Sequence, residues 1–232
     1  MKTRTTIVFS TMLLALSACK TTAQDPDRLY PSAKAGNPLA LKQLTALAGS
    51  GNAKAQVSLG LLYHSGDGVP KDTALAVIWL RKAAEQGDVN AQHNLGVLYE
   101  KGEGVPKDAV QAVVWYTKAA EQGFAVSQNN LGSMYANGEG VPRDVAQAIV
   151  WWRKAAEQGN ASAQVSLGVM YASGDVVPKD SVVAYMWWSL AAAQGDKAAK
   201  DNRGIVEKTM TPAQIAEAKK MSREWRASTF SH

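Results

Sequence analysis

The chain has 232 residues, 46% hydrophobic, 19% charged and 7% aromatic, with a net charge of +5. This composition is that of a folded chain long enough to bury a core, and it excludes a disordered or collagen-like polymer. The Lys and Arg residues are dispersed with no block of like charge, which argues against phosphate tracking and so against a nucleic-acid partner.

Met1 to Ala18 reads as a cleavable targeting segment. Lys2 and Arg4 supply a positive start, and Ile7 to Leu16 is an apolar run too short to span a bilayer, which takes about 20 residues. Leu16-Ser17-Ala18-Cys19 resembles the bacterial lipobox. The resemblance implies cleavage before Cys19 and lipidation of Cys19, anchoring the protein to a membrane. Cys19 is the only cysteine, so it has no intrachain disulfide partner. An ordinary secretory signal with an incidental cysteine is the alternative. In Gram-negative lipoproteins an Asp after the lipidated cysteine is associated with inner-membrane retention. Lys20 stands there instead, so the resemblance implies the periplasmic face of the outer membrane, with sorting to the inner membrane left open. Residues 19–32 are polar, contain two prolines and lack an apolar period, which predicts a flexible tether. Residues 33–51 then read as an N-terminal half-repeat cap, with Leu41, Leu44 and Leu47 as its stripe.

From residue 52 onward the chain repeats itself every 36 residues. Leu59-Gly60, Leu95-Gly96, Leu131-Gly132 and Leu167-Gly168 share this spacing, as do Trp79, Trp115, Trp151 and Trp187, and Pro70, Pro106, Pro142 and Pro178. A fixed period of this length signals a solenoid, each unit burying its apolar face on its neighbours. In residues 88–123, Ala91, Leu95, Leu98 and Tyr99 form one amphipathic helical stripe. Gly102 to Pro106 breaks that helix, and Ala112, Trp115, Tyr116, Ala119 and Ala120 form a second stripe. Gly96 costs about 1 kcal/mol in a helix interior, so its recurrence predicts close approach of the partner helix. Asp108 with Gln111, and Asp144 with Gln147, read as capping boxes at the second helix.

Full repeats cover 52–87, 88–123, 124–159 and 160–195. Residues 196–232 read as a degenerate first helix and a capping helix. Within them Arg203 replaces the repeat's Leu and Glu207 its Tyr, as expected where no further repeat must be covered. Thr211-Pro212-Ala213-Gln214 is a helix start. Ile215, Ala218, Met221 and Trp225 mark the face that caps the last repeat. At the fourth turn Val176 stands where the others have Gly68, Gly104 and Gly140. If that position needs positive φ, the fourth turn must differ in shape.

The pattern A-Q-x-x-L-G-x-x-Y, then G-x-G-V-P-x-D, then A-x-x-W-x-x-K-A-A-E-Q-G resembles the Sel1-like repeats, relatives of tetratricopeptide repeats. The resemblance implies an all-α, right-handed α-solenoid that acts as a protein-interaction scaffold, and it implies no reaction. In the related tetratricopeptide superhelix the first helix of each pair lines the concave face. That places Lys54, Val57, Leu61 and His64 there, followed by Asn90, His93, Val97, Glu100 and Lys101. Asn129, Ser133 and Asn137 follow in the third repeat, then Val165 and Val169 in the fourth. These positions vary between repeats while their neighbours do not, as on a binding surface held by a fixed frame. Solvent exposure alone also permits such variation. The residue types suit an extended peptide or partner protein better than a phosphate-rich ligand, with Asn129 and His93 as the leading polar groups.

The residues give little sign of chemistry. His64, His93 and His232 are the only histidines, without an H-E-x-x-H, so neither a metal nor a cofactor is expected. His64 and His93 could approach each other on the first-helix face. Asp67, Glu103, Glu139 and Asp175 recur once per turn and read as solvated turn residues. The Trp151-Trp152 and Trp187-Trp188 pairs read as core. A serine β-lactamase needs S-x-x-K, and the only match, Ser17 to Lys20, straddles the expected cleavage point. The expected function is therefore a membrane-tethered periplasmic interaction scaffold or regulator and not an enzyme. An immunity protein that neutralises a toxic effector is the alternative, and a hydrolase ranks third.

Overall fold

The computed structural model describes residues 25–229, which form twelve helices and no strand. The targeting segment and Cys19 lie outside these residues. The chain divides into two compact units, with the boundary between Lys107 and Asp108. The first unit holds α1 (Pro26–Lys34), α2 (Pro38–Gly49), α3 (Ala53–Ser65), α4 (Thr73–Glu85) and α5 (Val89–Lys101). The second holds α6 (Ala109–Glu121), α7 (Ala125–Asn137), α8 (Val145–Glu157), α9 (Ala161–Ser173), α10 (Ser181–Ala193), α11 (Lys197–Glu207) and α12 (Pro212–Thr229). In each unit the helix–turn–helix order matches the period read from the sequence.

A buried glutamine ties each first helix to its neighbours. Gln56, Gln92, Gln128 and Gln164 are all buried. Their side-chain amides donate to the carbonyls of Ala48, Ala84, Ala120 and Ala156 at 3.0, 3.2, 3.0 and 3.2 Å. Each acceptor lies in the last turn of the preceding second helix, where backbone carbonyls lack helical donors. The side-chain oxygens of Gln56, Gln128 and Gln164 are in turn matched by Gln86, Gln158 and Gln194, which donate at 2.7, 2.8 and 3.0 Å from the end of the following helix. The A-Q and E-Q-G signatures are thus two halves of one hydrogen-bonded bridge.

The glycine one turn beyond this glutamine explains itself by contact. A Cβ on Gly60 would sit 2.5 Å from Leu80 Cγ, and one on Gly132 would sit 2.6 Å from Trp152 Cδ1. In the turns, Gly68, Gly104 and Gly140 take φ of 71°, 74° and 71°. No other residue type among the described residues has positive φ, so Val176 holds a different backbone conformation and the fourth turn departs from the others.

The second helix pairs tryptophan with lysine one turn on. Lys82, Lys118 and Lys154 lie 4.6, 4.1 and 4.3 Å from the ring centroids of Trp79, Trp115 and Trp151. Trp152, Trp187 and Trp188 are buried, but Trp151 is only half-buried, so the expectation that both tryptophan pairs are core holds fully for the second pair alone. In the last repeat Leu190 replaces the lysine. Trp187 meets Trp225 of α12 edge-on, with centroids 5.0 Å apart.

Three expectations change. Residues 26–34 are helical where the tether was expected to continue to residue 32. Asp25 caps α1 by accepting from Asp27 N at 3.1 Å, Pro26 sits at its first turn, and Leu29 and Ala33 are buried. In α2 the buried stripe is Ala40, Leu44 and Ala48, while Leu41 and Leu47 are partly buried. The capping box at Asp144 is half-used. Its Oδ1 accepts from Gln147 N at 3.0 Å, but its own N–H goes to the Tyr135 carbonyl at 2.8 Å. The box at Thr211 and Gln214 is complete, at 2.9 and 3.3 Å.

Two stability tests follow from this packing. Gly132→Ala should destabilise by about 1–3 kcal/mol through overpacking. Gly204→Ala, where nothing lies within 4 Å of an added Cβ, should stabilise by up to about 1 kcal/mol. Equal effects in urea melts would contradict the close-approach account. Gln164→Leu should cost about 1–3 kcal/mol because it strands the Ala156 carbonyl, and Gln194→Ala about 1 kcal/mol because it leaves the buried Gln164 oxygen without its donor.

Candidate partner-binding face

First helices start at side-chain caps. Asn52, Asp88 and Asn160 accept from the N–H three residues on at 2.9, 2.9 and 3.0 Å, while Phe124 offers no side-chain cap. Helical spacing then turns Gln56, Leu59 and Gly60 inward and leaves Lys54, Val57, Leu61 and His64 on another side. None of the fourteen residues assigned to this face is fully buried.

In the first unit the face is crossed by polar pairs. Lys54 donates to Asp27 at 3.1 Å, and this hydrogen bond holds its ammonium above its ordinary value. His64 Nε2 pairs with Glu103 at 2.8 Å. The hydrogen bond from His64 holds the Glu103 carboxyl below the usual range. His64 therefore engages a turn carboxylate, where the sequence suggested an approach to His93. Asn90 and Lys101 are exposed, and Val97 and Glu100 are half-buried. His93 is half-buried, and its burial pushes the imidazole below its ordinary value against the opposing charge of Glu100.

Three of the turn acids have side-chain partners. Besides Glu103 with His64, Asp67 meets Lys34 at 3.2 Å and Glu139 accepts from Asn137 at 2.9 Å. Hydrogen bonds from Ser65 and then Lys34 lower Asp67. They are turn residues as expected, but paired ones. Asp27, the partner of Lys54, was missed because it lies in the segment read as tether. Among the described residues no group of three His, Cys, Asp or Glu side chains could hold a metal ion.

In the second unit Asn129 is the distinctive residue. Its Oδ1 is buried and takes no hydrogen bond, while its Nδ2 reaches only Asn130 Oδ1 at 3.4 Å. Ser133 Oγ donates to the Asn129 main-chain carbonyl at 3.2 Å. Asn137 is exposed and Val165 half-buried, and Val169 is 40% exposed. The arrangement offers an unmatched acceptor and exposed valine, which suit an extended chain with free N–H groups and apolar side chains.

The Sel1 repeat model matches residues 53–88, 89–124, 125–160 and 161–196. Among solved structures, the chain is similar to a Sel1 repeat protein from Oxalobacter formigenes, at 31% identity over 88% of this chain and 97% of that one, with a TM-score of 0.74. It is also similar to a protective antigen present in uropathogenic Escherichia coli strains that displays an SLR fold. There the identity is 30% over 91% of this chain and 57% of that one, with a TM-score of 0.54. No curated protein matches the chain.

The depressed proton affinity of His93 makes a pH test. Its folded-state value lies below the unfolded one, near 6.5. The stability from keeping it neutral is therefore present above about pH 6.5 and is lost as pH falls through the folded value. NMR titration should place the His93 midpoint below that of an exposed histidine, and Glu100→Gln should lower it further. Urea midpoints of His93→Gln should decline less on acidification than those of the parent. An unshifted His93 midpoint would refute the burial argument.

Proposed function

We propose that this chain, which belongs to the Sel1 repeat family, is a membrane-tethered envelope protein that holds an extended segment of a partner protein on its first-helix face. Sel1 repeat proteins are generally protein-interaction scaffolds, and solenoids of this family are typically non-enzymatic. The observation that carries the face assignment is Asn129, whose buried Oδ1 lacks a donor amid positions that vary from repeat to repeat. A partner main-chain N–H would satisfy that oxygen once rotation of the half-buried side chain brings it to the surface, and Val169 offers exposed apolar surface in the same unit. The tether rests on the lipobox-like Leu16 to Cys19, and the periplasmic outer-membrane location on Lys20.

The reading is tested by crosslinking in intact cells, purification of the lipidated protein and mass spectrometry. The expected result is one dominant partner, whose recovery falls at least about tenfold for Asn129→Arg, the loss of a buried interface contact. Labelled palmitate should enter the parent and not Cys19→Ala. A partner retained by Asn129→Arg at parental level would overturn the face assignment. No reproducible partner would overturn the interaction reading itself.

A further inference from the structure

The last first-helix equivalent, α11, carries charge where the frame is uncharged. Lys200, Arg203 and Glu207 stand 36 residues after Gln164, Leu167 and Tyr171. Arg203 and Glu207 fit a position where no further repeat has to be covered. The structure packs both α11 and α12 on α10, so these positions line a cleft between the two helices. The cleft has a volume of about 620 Å³ and is bounded by α10, α11 and α12.

Four cations line the cleft, Lys200 and Arg203 from α11 and Lys219 and Arg223 from α12, against one carboxylate, Glu207. Glu207 lies 3.9 Å from Lys219, and the other three cations have no carboxylate partner among the described residues. Arg203 is half-buried and lies 5.8 Å from the Tyr185 ring centroid. Ser189, on the floor, is 7% exposed, and its buried Oγ makes no hydrogen bond. Like charges gathered from two helices around one cleft repel one another, and an anionic ligand relieves that repulsion.

We propose that this cleft binds an acidic segment of a partner protein, a stretch presenting several carboxylates in succession. A single small anion fits less well. Lys200, Lys219 and Arg223 are exposed and stay hydrated, so each ion pair contributes little by itself. Affinity must come from several pairs engaged together, with arginine forks matching carboxylate oxygens two at a time. Small residues, Ala192 and Ala193, leave room on the floor for a main chain. The site is separate from the first-helix face and stands or falls without it.

Fluorescence anisotropy on the full chain in detergent tests this, with fluorescein-labelled hexaglutamate as probe and hexaglutamine as control. The acidic peptide should bind saturably and weaken with added salt, and hexaglutamine should not bind. Arg203→Gln with Arg223→Gln should weaken binding by on the order of tenfold, with circular dichroism confirming that α-helix content is kept. Glu207→Gln should tighten it about threefold by removing the only opposing charge, a gain that misfolding cannot imitate. Absence of saturable binding, equal binding of hexaglutamine, or indifference to all three substitutions would overturn the proposal. Displacement by inorganic pyrophosphate at concentrations well below those of unlabelled hexaglutamate would also overturn it, and would mark the cleft as a small-phosphate site.

Discussion

The structure depends on one buried amide per repeat. A glutamine in the first helix spans from the last carbonyls of the preceding second helix to the glutamine that ends the following one. In Gln164 both ends are occupied, by Ala156 and Gln194. A buried polar group of this kind is costly when unmatched and directional when matched, so it specifies where three helices meet. Apolar contacts alone would hold the helices together without setting their axial position. The glycine of the Leu-Gly pair then lets the partner helix come close enough for the amide to reach.

Because this frame must be satisfied in every repeat, the residues that build it recur, and the variable ones are displaced to the other side of the first helix. That division of labour suits a scaffold: the packing face sets the geometry and the free face sets specificity. Asn129 shows the contrast. It follows the buried Gln128 directly, yet its side-chain oxygen has no partner, while that of Gln128 accepts from Gln158 and the Gln128 amide N–H donates to the Ala120 carbonyl.

The ends of the repeat array are handled by different chemistry. At the start, α1 supplies Leu29 and Ala33 to the same core as Leu44 and Leu59. At the end, Trp187 has no lysine beside it and is covered by Trp225. Where that covering is incomplete, the cations of α11 and α12 face each other across open space, and a terminus that needed only to be capped becomes a charged cleft.

Much of this was legible along the chain, for a local reason. Helix boundaries, the Thr211–Gln214 cap and the demand for glycine at the close crossing all follow from residues within a turn or from the repetition itself. Other features join residues far apart in sequence: Lys54 with Asp27, His64 with Glu103, and Arg203 with the α12 cations. The docking of α1 rests on three buried nonpolar side chains, Pro26, Leu29 and Ala33, among polar neighbours, too short a stripe to register as a period. Asp144 shows how a tertiary bond displaces a local one, since the Tyr135 carbonyl takes the N–H that a capping box would use. By itself the sequence determined the repeating all-α frame, because every repeat solves the same packing problem. Only the tertiary structure decided which charges meet, since the period carries no information at the sites where it breaks.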